Sequence, residues 1–140
     1  DVVNHNLETV ARLYPDIRPM AVYQRSLELL RRINEAGMTA KSGIMVGLGE
    51  NDQEILQTID DLAAVSCGIV TVGQYMRPSR QHPQVQRYVP PEDFEVYATH
   101  GREQGIPHMF CAPLVRSSYH AALFVEGEGK EKGRPGEPPF

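Results

Sequence analysis

Residues 116–120, Arg116-Ser117-Ser118-Tyr119-His120, set reactive and binding side chains of several kinds into five consecutive positions. A serine nucleophile needs a base within reach, and His120 is near in sequence. No G-x-S-x-G elbow surrounds either serine, which argues against hydrolase chemistry; taken by itself the segment reads as a hydrogen-bonded C-terminal strap. The second candidate is KSGIMVGLGE, residues 41–50. Gly47 and Gly49 carry no Cβ, so the backbone there can turn and approach a ligand closely. No Lys-Ser/Thr follows them, which excludes a Walker loop, and the dinucleotide pattern G-x-G-x-x-G is absent. Asn6 and Glu8 can bind hydroxyls or act as an ordinary helix cap. Arg18 and the arginines at 77, 80 and 87 can pair with carboxylates. Cys67 and Cys111 read as small packed residues and are too few to hold an iron–sulfur cluster by themselves. His5, His82 and His108 lack zinc-type spacing.

These residues need elements to position them. Val2-Val3 reads as a strand end, and residues 7–13 as two helical turns with Asn6 as cap. Residues 14–19 hold two prolines and read as irregular. A helix is expected over 22–34, with Leu27, Leu30 and Ile33 on one side and Gly37 as its stop. Residues 39–46 are apolar enough for a central strand of a parallel sheet. A helix over 52–65 places Ile55, Leu56, Ile59 and Leu62 on one stripe, leaving Asp60 and Asp61 solvated. A strand over 69–73, a long polar loop over 74–90, a helix over 91–103 with proline at its start and a strand over 106–111 complete the order. Strand alternating with helix calls for a parallel sheet with right-handed crossovers. About four strands are present, so the fold class is α/β, a partial parallel (β/α) TIM-type barrel.

The 140 residues allow one domain, expected over 1–121, with a tail over 122–140 that is Gly-, Glu-, Lys- and Pro-rich and reads as disordered. Net charge is −4, which argues against a nucleic-acid partner. No apolar run reaches the roughly 20 residues that span a bilayer. The start at Asp1, directly in a strand, reads as a chain whose N-terminal part is missing.

Taken together the segments resemble the lipoyl synthase family of radical S-adenosylmethionine enzymes, in its C-terminal half. The matching pieces are VVNHNLETVARLY, Arg18-Pro19, KSGIMVGLGE, TVGQYMRPSRQH, VQRYVPPEDF and PLVRSSYHA, in order over residues 2–121. RSSY is the most specific of them. Residues 43–50 also fit the wider superfamily pattern G-x-I-x-G-x-x-E, with Met45 in the isoleucine place.

The resemblance implies insertion of two sulfurs, at C6 and C8 of an octanoyl chain held on a lysine of a carrier. It implies two 4Fe–4S clusters and S-adenosylmethionine. One cluster cleaves S-adenosylmethionine reductively to a 5′-deoxyadenosyl radical, and an auxiliary cluster is the sulfur source. By the same resemblance Gly43, Met45, Gly47 and Glu50 support the adenosyl group. Asn6 and Glu8 face the ribose or methionine part, Arg18 meets the carboxylate, and Gln74 and Tyr75 lie at the next strand's mouth. Ser117 is implied as an iron ligand of the auxiliary cluster, with Arg116 beside it; Ser118 is the competing ligand. The implied partners are an octanoylated lipoyl carrier domain (glycine cleavage H protein or a 2-oxoacid dehydrogenase acyltransferase domain) and an electron donor such as ferredoxin or flavodoxin. The implied location is a cytoplasm, or a mitochondrial or plastid matrix. The C-x-x-x-C-x-x-C motif and the three auxiliary-cluster cysteines of that family are absent from this chain, and His82-Pro83-Gln84-Val85 replaces H-L-P-V. The chain is therefore expected to be inactive alone; the alternative is a non-catalytic α/β scaffold or binding domain.

Overall fold

The computed structural model describes residues 1–115. Arg116, Ser117 and the expected tail lie outside the described residues. The elements run β1 (Val2–Asn4), a 3-10 turn (Ala11–Leu13), α1 (Tyr14–Ile17), α2 (Tyr23–Glu35), β2 (Thr39–Val46), α3 (Asp52–Ala64), β3 (Ile69–Gln74), α4 (Pro91–Glu103) and β4 (His108–Cys111). The four strands pair in parallel in the order β1-β2-β3-β4. Each strand lies beside its sequence neighbour with helix between, one helix in each later crossover and the 3-10 turn, α1 and α2 in the first, as in a barrel wound in one direction. The fold is thus α/β, a partial barrel of four strands.

The two faces of the sheet differ. Ala40, Ile44, Val46, Val70, Val72 and Met109 occupy alternate strand positions and join one core cluster with the apolar stripes of the helices: Leu27, Leu30 and Ile33 of α2, Ile55, Ile59 and Leu62 of α3, and Phe94 and Tyr97 of α4. The other face carries the intervening positions. Register aligns Asn4, Lys41, Ile69 and His108 in one row, Gly43, Thr71 and Phe110 in the next, and Met45 with Gly73 in a third. Such rows fill the inside of a β/α barrel. Here they include small and polar residues, and the row nearest the carboxyl ends holds a glycine.

The N-terminal segment departs from its reading. Residues 7–13 are not two helical turns and Asn6 caps nothing. His5 N–H donates to Lys41 O at 2.9 Å, Glu8 N–H to Gly43 O at 2.9 Å and Met45 N–H to Glu8 O at 2.9 Å. Five residues from Asn4 to Glu8 thus face four from Lys41 to Ile44. This is a one-residue bulge, with Leu7 N–H taken up by Ser42 Oγ at 3.1 Å. The ladder to β2 satisfies these backbone groups, so no helix is needed. Residues 14–17, read as irregular, are helical: Pro15 sits in the first turn, where its missing N–H costs no bond. Asp60 and Asp61 are also not simply solvated. Asp60 pairs with His100 at 2.7 Å, and Asp61 accepts from Tyr23 Oη at 2.8 Å and Gln57 Nε2 at 3.0 Å.

β1 lies at an edge of the sheet, and an edge strand presents unpaired N–H and C=O groups that recruit other chains. The 140-residue chain expressed by itself is expected to associate in a concentration-dependent way in sedimentation velocity. A monodisperse monomer melting cooperatively above roughly 60 °C, high in the mesophile range, contradicts this.

Candidate functional site

The carboxyl ends of β1, β2 and β3 enclose a cleft of about 220 Å³. Asn6 and Glu8 of the bulge form one wall, Gly43 and Met45 of β2 the floor, and Thr71, Gly73 and Gln74 of β3 the other side, with Val115 above. The bulge aims the first wall. Glu8 adopts φ 74°, a left-handed conformation that a residue with a Cβ adopts at a cost. Arg18 holds the bulge from behind: its Nη1 donates to Asn6 O at 3.3 Å, Leu7 O at 3.4 Å and Tyr14 Oη at 3.0 Å. His5, on the same segment, bonds Ser26 Oγ at 2.9 Å. Burial, and then the Arg18 charge, push its pKa below the ordinary imidazole value, with Glu8 opposing.

The cleft is lined by acceptors. Asn6 Oδ1 is buried and has no hydrogen-bond partner among the described residues. A buried amide oxygen left unsatisfied costs about 1–3 kcal/mol, which a donor on a ligand recovers. Glu8 lines the same space, and among the described residues no lysine or arginine does. An unpartnered acceptor beside an acidic residue suits hydroxyl or ammonium donors. Gly43 belongs to the fit of the floor: a Cβ there would stand 2.3 Å from Thr71 Oγ1 and 3.3 Å from Asn6 Oδ1.

The glycine loop sits beside this cleft and is pinned from within. Glu50 is buried; its Oε2 accepts from Gly47 N–H at 2.8 Å and its Oε1 from Leu48 N–H at 3.0 Å. Gly47 (φ +100°) faces the chain itself, since a Cβ would lie 2.5 Å from both Arg87 O and Gln74 Nε2. A side chain at 47 therefore disturbs the β3–α4 connection directly. Gln74 spends its amide on that connection, donating to Tyr75 O and Arg87 O at 3.0 Å each and accepting from Val89 N–H at 2.8 Å. Tyr75 is buried and donates to Pro83 O at 2.6 Å. The site residues read from the sequence thus divide. Asn6, Glu8, Gly43, Met45 and Gln74 line the cleft, whereas Gly47, Glu50, Arg18 and Tyr75 hold the segments that shape it.

Sequence reasoning missed Thr71, Arg12 and Lys41, and gave Arg87 as an arginine that can pair with a carboxylate. Thr71 fills the floor beside Gly43. Arg12 joins Glu54 (2.6 and 3.0 Å) and Gly49 O (3.0 Å). Arg87 joins Asp52 at 2.9 Å and lies 3.7 Å from Glu50. The Arg12 and Arg87 hydrogen bonds hold the Glu54 and Asp52 carboxyls below their ordinary pKa. Both links are complete at neutral pH and open only as pH falls through those lowered values. Lys41, on the row below Gly43, is 1% exposed, and burial lowers its pKa to about 8. Its one signal in the sequence is a lysine inside an otherwise apolar strand.

A larger cavity, about 520 Å³, opens at the amino ends of the strands, between Met38, Ser66, Gly68 and Pro107. Cys67 there donates to Ala40 O and Ile69 O at 3.4 Å, and burial pushes its thiol up to about 12. That end of a β/α barrel serves stability, and chemistry resides at the carboxyl ends. Burial likewise raises Cys111 to about 12. Among the described residues no group of three His, Cys, Asp or Glu could hold a metal ion, so they do not fit an iron–sulfur cluster. No helix among them is long and apolar enough to cross a membrane.

Residues 1–62, which include the bulge, β2 and the glycine loop, match the family model of the Radical SAM superfamily. The chain is 67% identical over 126 residues to a lipoyl synthase of Oleidesulfovibrio alaskensis, covering 90% of this chain and 43% of that protein. It is 63% identical over 120 residues to a lipoyl synthase of Nitratidesulfovibrio vulgaris (86% and 40%) and 53% identical over 125 residues to one of Chlorobium chlorochromatii (89% and 43%). The chain spans about two fifths of the length of these curated relatives. With a one-directional parallel sheet and a cleft at its carboxyl ends, the chain is similar over residues 1–62 to the Radical SAM superfamily and over most of its length to part of these lipoyl synthases.

Proposed function

We propose that this chain forms the S-adenosylmethionine-binding side of a lipoyl synthase that inserts sulfur at C6 and C8 of a carrier-bound octanoyl group. The observation that carries this reading is the cleft at the carboxyl ends of the strands, with the unpartnered Asn6 Oδ1 and the acidic residue Glu8 in its lining. S-adenosylmethionine offers what such a cleft lacks: ribose hydroxyls and an ammonium group that donate, and a cationic sulfonium. Asn6 and Glu8 would bind these donors, and Gly43 and Met45 would lie under the ligand. The loop ending in Glu50 would bear on the adenosyl group through its backbone. When bound, the ligand supplies radical hydrogen abstraction. The work of this chain is to orient it and keep water from the acyl chain. The family's octanoylated carrier and an electron donor of ferredoxin or flavodoxin type are the partners that follow from this reading.

Replacing Asn6 with Leu in the complete polypeptide removes an acceptor that makes no internal bond. Calorimetry should show S-adenosylmethionine binding weakened by roughly 10- to 100-fold, the worth of a hydrogen bond to a buried group, while the melting temperature holds or rises. Unchanged affinity removes Asn6 from the site.

Ser117, beside Arg116, is proposed as the oxygen ligand of an auxiliary cluster in the complete enzyme. An oxygen among soft thiolates binds iron less tightly and exchanges more readily. Ser117→Cys is expected to assemble the cluster yet slow sulfur insertion, and Ser117→Ala to alter the Mössbauer spectrum of one iron. Wild-type spectra and product from both variants exclude Ser117; a disturbance by Ser118→Ala alone moves the role to Ser118.

A further inference from the structure

Between β3 and α4 the chain runs from residue 75 to residue 90 without helix or strand. A connection of that length in a compact fold is commonly functional. Its composition is one-sided: no Asp or Glu occurs between Asp61 and Glu92, whereas the whole chain carries 18 acidic against 14 basic residues. Its shape is set by its own bonds. Arg77 donates from Nε to His82 O at 3.0 Å and from Nη2 to Arg80 O at 2.7 Å. Ser79 Oγ and His82 Nδ1 lie 2.9 Å apart. Gln86 N–H donates to Gly47 O at 2.7 Å, which ties the far end of the segment to the glycine loop. Arg77 is thus consumed in folding the segment into a knob. Arg80 is exposed and has no carboxylate partner among the described residues.

Two large side chains flank the knob in solvent, Met76 at 54% and Tyr88 at 69% exposure. Arginine, tyrosine and methionine are the residues enriched where proteins dock. A segment already held in shape spares the ordering cost of binding. The root of the segment, Gln74, lines the cleft, so a protein seated on the knob stands at its mouth.

We propose that residues 76–88 are the docking surface for an acidic face of the protein that carries the acyl substrate. This rests on the function proposed above, and Arg80 and Tyr88 are the contacts that carry it. A small anion suits the surface less well, because Arg77 spends donors on the His82 and Arg80 carbonyls and Arg87 is paired with Asp52. A broad acidic protein face matches its spread of two arginines without a carboxylate partner among the described residues, Arg77 and Arg80, one aromatic and one thioether.

The test uses the complete enzyme with Arg80→Glu and, separately, Tyr88→Ala. Both residues are exposed, so folding is preserved. Turnover is measured on an octanoylated carrier domain and on a short peptide holding octanoyl-lysine, with a chemical reductant. Binding of the labelled carrier domain is followed by anisotropy at low and high salt. The KM for the carrier domain should rise roughly tenfold or more in Arg80→Glu, as for a charge pair lost at an interface, with peptide kinetics and S-adenosylmethionine affinity unchanged. Salt should weaken carrier binding to the unaltered enzyme and much less to Arg80→Glu. Equal losses on carrier and peptide, or no loss on either, overturn the docking surface. So does a loss confined to assays driven by a protein electron donor. The binding arm needs no turnover, so failure of the proposed reaction and failure of the docking surface read out separately.

Discussion

The buried carboxylate of Glu50 is the constraint on which the mouth of this sheet depends. Its side chain is wholly out of solvent, and a charge in that position is costly unless it is bonded. Two backbone N–H groups of the glycine loop meet it, and the Arg87 guanidinium lies 3.7 Å away. The loop is thereby held around its own acid, which fixes Gly47 and Gly49 at φ values that suit residues without a Cβ. The next residue, Asn51, starts α3 with a capping box shared with Glu54. Glu54 in turn takes the fork of Arg12, whose remaining donor meets Gly49 O. One acid thus links the end of β2, the start of α3 and the 3-10 turn after the bulge.

That linkage extends to β3. Gly47 O accepts from Gln86 N–H, Gly47 leaves room for Gln74, and Gln74 closes on the backbone at 87 and 89. The connection after β3 cannot shift without moving the glycine loop, and the cleft lies where the two meet the bulge. The exposed ion pairs in this ring, Arg12–Glu54 and Arg87–Asp52, are worth little as isolated contacts. They act by joining segments that the buried carboxylate has already ordered. The cleft-lining residues Asn6 and Glu8 stay outside the ring's side-chain bonds, and Asn6 Oδ1 has no partner among the described residues.

Much of this is legible in the sequence, for reasons that differ by element. β2 and α4 read to their ends because an apolar run and a proline at a helix start are local signals. The bulge is not legible. Leu7, Val10 and Leu13 have helical spacing, yet the groups that satisfy this backbone belong to β2, some thirty-five residues on. The glycine loop reads as a binding element from its residues. That Gly47 accommodates Gln74, and that Glu50 serves its own loop, follows only from β2 and β3 lying side by side. Arg12 reads as an ordinary surface charge and Arg87 as able to pair with a carboxylate, but neither partner can be named because both are distant in the chain.

The central claim is that Glu50 shapes the mouth by holding backbone N–H groups before any ligand arrives. Amide hydrogen exchange of Gly47 and Leu48 tests it most directly, in the complete polypeptide without ligand, comparing the unaltered protein with Glu50→Gln. Glutamine keeps one acceptor and turns a donor toward the second N–H. Protection of these two amides should therefore fall by roughly 10- to 100-fold, the cost of an unsatisfied buried group, while the amides of β2 keep theirs. Unchanged protection at 47 and 48, with S-adenosylmethionine affinity nonetheless lost, would place Glu50 against the ligand and contradict the account.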